Sequence, residues 1–368
     1  MEVAVVDGYS ETMSGAQRCM LAIAEAGQTH GWTVTGVLPA EGASADWLRG
    51  HGLRVETLGV DGALLRTGGT WRRHLLAITV ALPRLWWAMA RAIRSADIVH
   101  VNDLRALIMV GPWCILRARR LVWHVHAAQH GAGVASRAAR VLRLLRVPII
   151  VASRRDGDSW SNGQAGSFIE IPYPISPRPR STEGPVPRVV CVGRSHPDKG
   201  LDVLLEAVAL SKQQVPDIRV DIVASAHPGH EAHRALLVSA ASAISGAALV
   251  ETVPDTTPVV EGAWLYAQPS RHEPFGIAVL EAAMQGVPAV AARVGGLQDI
   301  VLDGQTGVLV PPDDADALHA ALVQLLQDDA TRARMGAAAR EHATLRFSPE
   351  AFGSALADVY ARRLLTRR

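Results

Sequence analysis

Residues 188–200 read RVVCVGRSHPDKG, and the fold is decided here. Arg188–Val192 is a short run rich in β-branched residues, the composition of a buried strand. It leads into a loop carrying Gly193, Arg194, Lys199 and Gly200, and then into LDVLLEAVALSK, whose apolar positions recur at helical spacing. Strand, glycine loop and helix in this order form the half-unit of a parallel sheet. The pattern repeats in both directions. Downstream, Arg219–Val223, Ala263–Gln268, Val287–Ala291 and Val308–Val310 read as strands. Upstream, Glu2–Asp7, Thr33–Leu38, Arg54–Val60, Ile98–Val101, Leu121–Val125 and Pro148–Ala152 do so.

The 368 residues exceed one ordinary core and suit two domains. The proline-rich IPYPISPRPRSTEGPVP, residues 171–187, interrupts the alternation. The expected division is an N-terminal Rossmann-like domain over 1–172, a stiff linker over 173–187 and a second Rossmann-like domain over 188–347. Residues 348–368 form a closing amphipathic helix. In open parallel sheets ligands bind beyond the carboxyl ends of the strands, so two doubly wound domains facing across a cleft would place a site there.

Composition narrows the classes. Cys19, Cys114 and Cys191 are three, odd and widely spaced, forming neither a zinc pattern nor a disulfide framework. No secretory leader is legible in MEVAVVDGYS, and no apolar run approaches the roughly 20 residues of a spanning helix. A cytoplasmic protein is expected, with peripheral attachment at the inner face of the membrane as one option. The net charge of +2 is unevenly placed. Up to position 180 there are 21 arginines and no lysine against 13 acids, while the rest has 16 bases against 22 acids. The first half is therefore the part suited to an anionic partner: a nucleic acid, a membrane surface or a phosphorylated acceptor.

The chemistry concentrates in the second half. Arg194 and Lys199 set two cations at the top of one strand beside a helix start, which suits a diphosphate. Lys199 is one of two lysines in the chain, the other being Lys212. Residues 269–296, PSRHEPFGIAVLEAAMQGVPAVAARVGG, follow another strand. Gly276 opens a helix whose free N–H groups can cradle phosphate. Glu281 stands eight residues after Glu273, about 12 Å of rise if the segment is helical. That is too far to flank one bond as a glycosidase pair does at roughly 5–10 Å. The spacing fits two separate hydroxyl holders, one for a sugar and one for a ribose.

These residues give a specific resemblance. Glu273-Pro-Phe-Gly-Ile-Ala-Val-Leu-Glu281, the Gly193-Arg194…Lys199-Gly200 loop, and Gly295-Gly296 with Asp299 are similar to the retaining nucleotide-sugar glycosyltransferases of the GT-B fold with an E-x7-E motif, the glycosyl transferases group 1. SGAQR (residues 14–18), DIVHVND (97–103) and VWHVHA (122–127) resemble loops and strand ends of that family's N-terminal domain. The resemblance implies that Arg194 and Lys199 hold the diphosphate and Glu281 the ribose. It implies that Glu273 and the backbone of Phe275, Gly276 and Ile277 meet the donor sugar, with Gly15 and Gly193 in the donor loops. His126 is implied near the reacting centre, with Asp103 and His124 on the acceptor side. The closing helix is implied to pack back on the N-terminal domain. Departures occur at Pro172-Tyr173-Pro174, Ala224-Ser225, Ser14, Gln17 and the loop Val250–Gly262.

The resulting expectation is a retaining hexosyltransferase using a nucleoside diphosphate sugar, a UDP-sugar by preference. It needs no metal and no cofactor, and its acceptor is a sugar, a natural product or a lipid-linked group; no nucleic acid is expected. Rivals are a sugar-nucleotide epimerase on the same fold, a catalytically inactive nucleotide-sugar-binding protein, and a metal-dependent hydrolase built on His124 and His126. Residues 70–94, TWRRHLLAITVALPRLWWAMARAIR, mix tryptophan with arginine. They read equally as an interfacial helix on an anionic membrane or as a helix burying Leu75, Ile78, Leu82 and Leu85.

Overall fold

The structure is a computed structural model describing residues 1–10, 15–59, 86–117, 119–126, 132–161, 168–227, 229–251 and 256–365. The chain divides into two compact units. The first comprises Met1–Pro174 with Pro349–Arg368, and the second Ile175–Ser348.

The first unit carries seven parallel strands in the order β3-β2-β1-β4-β5-β6-β7. They are β1 (Glu2–Val6), β2 (Thr33–Leu38), β3 (Arg54–Thr57), β4 (Ile98–Val101), β5 (Leu121–Val125), β6 (Ile149–Val151) and β7 (Ile169–Glu170). Its helices are α1 (Gly15–His30), α2 (Ala43–Gly50), α3 (Leu104–Leu116), α4 (Ala132–Leu144) and α5 (Arg154–Ser161), and residues 86–92 are also helical. Apolar side chains of β1, β4, β5 and β6 pack under α3 and α4, with Trp123 fully buried among them. The last helix of the chain, α13 (Pro349–Leu365), packs on α1 within this unit. Its Tyr360 O–H reaches His100 Nδ1 on β4 at 2.8 Å.

The second unit carries six parallel strands in the order β10-β9-β8-β11-β12-β13. They are β8 (Arg188–Arg194), β9 (Arg219–Ser225), β10 (Ala247–Val250), β11 (Leu265–Gln268), β12 (Ala289–Ala292) and β13 (Gly307–Val310). Among them run α6 (Leu201–Ser211), α7 (Glu231–Ser242), α8 (Thr257–Val260), α9 (Ile277–Met284), α10 (Leu297–Ile300), α11 (Ala315–Gln327) and α12 (Asp329–Arg346). Of the stretch 173–187 read as a stiff linker, residues 175–187 have no regular secondary structure but are tied into this unit. Ile175 N–H donates to Phe347 O, Ser181 N–H to Gln285 O, and Gly184 N–H to Gly262 O.

Each strand order reverses once, between β1 and β4 in the first sheet and between β8 and β11 in the second. A crevice opens at such a reversal because the connections on its two sides leave in opposite directions. Both groups of polar residues described below stand at these two points. Two strands escaped the sequence: β7 is two residues long and β10 is a half-buried edge strand, too short for a periodicity to show. No described helix is long and apolar enough to cross a membrane.

Candidate functional site

At the β8/β11 reversal two loops meet. The first leaves β8 after Arg194, makes a 3-10 turn over Pro197–Lys199 and enters α6 through Gly200. Gly200 has φ +61°, and a Cβ there would stand 2.1 Å from Pro269 O, so no other residue fits. The second loop leaves β11 after Gln268 and enters α9 through Gly276, at φ +108°. Gly295 and Gly296 lie beneath it. A Cβ on Gly295 would be 2.0 Å from Glu273 O and one on Gly296 2.5 Å from Phe275 Cα. Gly296 N–H donates to Glu273 O at 3.1 Å. The paired glycines thus press against the 273–275 loop and hold it in place.

Lys199 Nζ donates to Glu273 Oε2 at 2.6 Å, and both side chains are nearly buried. Behind this pair runs a buried chain of hydrogen bonds. Ser270 O–H donates to Glu273 Oε2 at 3.4 Å, Gln268 Nε2 to Ser270 Oγ at 2.8 Å, and Tyr266 O–H to Gln268 Oε1 at 3.2 Å. Val192 N–H donates to the same tyrosine oxygen at 3.0 Å. The carboxylate is therefore fixed from the interior of the sheet. Arg194 is exposed at the end of β8. Gly193 differs from Gly200: the nearest atom to a Cβ there is Lys199 Cγ at 3.7 Å, an ordinary contact. Phe275 is 2% exposed and packs edge-on against Phe347, so only its backbone can face a ligand; Ile277, the first residue of α9, is half-buried.

Glu281 lies on α9 in a separate network. Arg178 Nη2 donates to its Oε1 at 2.9 Å and Thr256 O–H to its Oε2 at 2.6 Å, and Arg178 also bonds the Thr257 hydroxyl. The two carboxylates are thus held apart by different partners. Arg178, Thr256, Ser270, Gln268 and Tyr266 were missed in the sequence. Their signal is burial of polar atoms, which a sequence does not display.

The β1/β4 reversal gathers a second polar cluster. Asn102, just after β4, donates through Nδ2 to Asp7 Oδ2 at 3.0 Å and to Ala16 O at 2.8 Å. That orientation leaves Asn102 Oδ1 as an acceptor, so His126 donates to it from Nε2, at 2.6 Å. His126 Nδ1 then accepts from the Tyr173 hydroxyl. Gln17 Nε2 reaches Asp7 Oδ1 at 3.2 Å from α1, the helix that Gly15 opens. Burial, with Asp103 nearby, lifts Asp7 from 3.8 to about 7 despite these donors, and burial lowers His126 from 6.5 to about 3. His126 is a neutral, doubly engaged ring.

Two residues expected on the acceptor side have protein partners in this packing. Asp103 accepts from Gly8 N–H at 2.6 Å and caps α3 through Ala106 N–H at 2.9 Å, so it builds the loop. His124 is fully buried, beside Cys19 Sγ at 3.7 Å and His100 Nε2 at 3.3 Å. Its ring lies wholly in the interior. Cys19, His124 and His126 do bring ligand atoms within 4.8 Å of one another, one such group among the described residues. Both His126 nitrogens are engaged, however, and burial pushes the Cys19 thiol well up. Of the trio, Cys19 and His124 are buried and His126 is half-buried.

Two doubly wound parallel sheets, each with polar residues at its reversal, define the GT-B class of α/β fold. Anabaena Alr3699/HepE, solved in complex with UDP, aligns with a TM-score of 0.82 over 98% of this chain and 100% of that one, at 21% identity. Residues 177–342, nearly all of the second unit, match the family model for glycosyl transferases group 1. A D-inositol 3-phosphate glycosyltransferase of Corynebacterium diphtheriae is 39% identical over 46% of this chain but only 41% of its own length. The alignment thus spans about two fifths of that relative. A Mycolicibacterium smegmatis protein, named as a GDP-mannose-dependent alpha-(1-6)-phosphatidylinositol monomannoside mannosyltransferase, is 28% identical over 82% of this chain and 87% of its own.

Proposed function

We propose that the protein is a glycosyltransferase whose second unit binds a nucleoside diphosphate sugar at the β8/β11 reversal. The observation that carries this reading is the Lys199–Glu273 pair, fixed at 2.6 Å between two loops that glycines hold in contact. With Arg194 exposed beside it, the β8 loop offers cations to a diphosphate, and the first turn of α9 offers N–H groups. Gly193 lacks any protein neighbour that would exclude a Cβ, which leaves room for close approach of a phosphate. Glu273 then faces the donor sugar and Glu281 the ribose.

In the transfer the bond between the sugar's anomeric carbon and the diphosphate oxygen breaks, and an acceptor hydroxyl oxygen forms the new bond. The nucleoside diphosphate leaves as an anion, stabilised by Arg194, Lys199 and the α9 N-terminus. The acceptor proton passes to the departing phosphate on the front face, giving retention. His126, neutral and engaged at both nitrogens, positions groups and takes no proton. The two named relatives support an acceptor of the inositol phosphate or phosphoinositide class.

The test is a binding and turnover screen. Purified protein is titrated with UDP and GDP, and nucleoside diphosphate release is followed with UDP- and GDP-sugars, inositol phosphates and excess EDTA. Tight nucleotide binding and EDTA-resistant release support the reading. Preference for UDP supports the uridine donor, and preference for GDP overturns it in favour of guanosine. Loss of turnover on chelation, restored by manganese, overturns metal independence. Absence of binding to either nucleotide overturns the whole assignment.

A further inference from the structure

Between Asp103 and Asp156 the chain has ten arginines and no acidic residue. This stretch contains α3 and α4. Both connect successive neighbours, β4 to β5 and β5 to β6, in the same direction across the sheet. Right-handed crossovers therefore place both helices on one face of the first unit. Their inner sides fill the core through Val110, Cys114, Ala139 and Leu142.

Their outer sides are unusual for helices facing water. On α3, Ile108, Ile115 and Leu116 are exposed at i, i+7 and i+8, and Leu116 is 74% accessible. On α4 and the turn after it, Val134, Val141 and Leu145 are exposed at i, i+7 and i+11, with Leu144 at 79%. Single exposed aliphatics are ordinary; two helical stripes on one face are not. Arg137, Arg140 and Arg143 share the solvent-facing side of α4. Exposed aliphatics with arginines and no acid match the boundary of a bilayer, where apolar groups enter the acyl region and guanidinium groups meet phosphates.

We propose that the outer face of α3 and α4 docks reversibly on an anionic lipid bilayer. This surface is distinct from residues 70–94, most of which lie outside the described residues, and it does not depend on the donor assignment. Charge complementarity selects the occupant: a second copy of this chain would bring arginines against arginines.

The full-length protein is floated with phosphatidylglycerol-containing vesicles and with pure phosphatidylcholine vesicles, at low and moderate salt. The expected result is binding to anionic vesicles alone, weakening as salt rises. Ile108→Glu with Leu116→Glu, and separately Arg137→Glu with Arg140→Glu, each reduce the bound fraction by about tenfold or more. Arg72→Glu with Arg73→Glu leaves it unchanged. Thermal melts confirm that these variants fold. The proposal is overturned by no binding at low salt, by equal binding to neutral vesicles, or by loss confined to the Arg72 and Arg73 variant. It is equally overturned if the arginine variant loses binding while the Ile108 and Leu116 variant keeps it, the pattern of a hydrophilic polyanion.

Discussion

Lys199 Nζ and Glu273 Oε2 are 2.6 Å apart although 74 residues separate them in the chain. The contact exists because β8 and β11 are neighbours in the sheet while five elements of chain intervene. Without a donor the lysine compensates the glutamate; with one, its charge is shared with phosphate. Lys199→Ala is expected to lower turnover by a factor on the order of 10²–10³, the effect of removing one preorganised charge donor. Arg194→Ala should act in the same direction. Measured kcat within a few-fold of wild type in both variants would refute the diphosphate role.

Glu281 makes a different prediction because it is already compensated by Arg178 and Thr256. Glu281→Gln keeps the shape but weakens a charge-assisted pair, a change on the order of 1–2 kcal/mol. Nucleotide affinity should fall by about tenfold, while kcat at saturating donor changes less. Calorimetric titration with the free nucleoside diphosphate checks this, and equal affinity in variant and wild type removes Glu281 from the ribose site.

The glycines separate packing from ligand approach. Gly200→Ala forces a Cβ to within 2.1 Å of Pro269 O at φ +61°, and should destabilise by roughly 2–5 kcal/mol from overpacking and strain together. Gly193→Ala meets nothing closer than 3.7 Å. It should leave the melting temperature almost unchanged yet weaken donor binding. Denaturant unfolding of both variants, with donor titration of the second, tests the contrast. A stable Gly200→Ala protein would contradict the loop geometry.

The first unit should be acid-labile. Burial lowers His100 and His126 from 6.5 to about 3 and His124 well below 6.5. As pH falls through 6.5 the unfolded chain takes up protons that the folded chain refuses, so stability is lost downward from that point. Asp7, raised from 3.8 to about 7, and Asp103, also raised by burial, act in the opposite sense below pH 7. Three histidines outnumber two carboxyls, leaving a net loss of about 1–3 kcal/mol per pH unit. Melting temperature should drop from pH 7.5 to pH 5, and His100→Gln should reduce the drop. A wild-type melting temperature that is flat or rises on acidification would mean these rings are not buried neutral.

Much of the architecture is legible in the chain because it is written in local periodicity. β-branched runs such as RVVCV and LVWHV alternate with helical patterns, and this repetition specifies parallel α/β sheets. The Gly193–Gly200 loop and the Glu273–Glu281 spacing are equally local, so the candidate donor residues could be named from sequence. What tertiary structure alone decided is which distant polar groups meet. Tyr266, Gln268 and Ser270 become a buried support for Glu273, Arg178 reaches Glu281, and Gly295 with Gly296 turns out to brace a loop. Only the tertiary structure shows that Asp103 caps a helix and that His124 is fully buried. The division has a physical cause. Secondary structure follows from side-chain period along the chain. Burial and hydrogen-bond partnership depend on strand order, which brings residues dozens to hundreds of positions apart to the carboxyl ends of neighbouring strands.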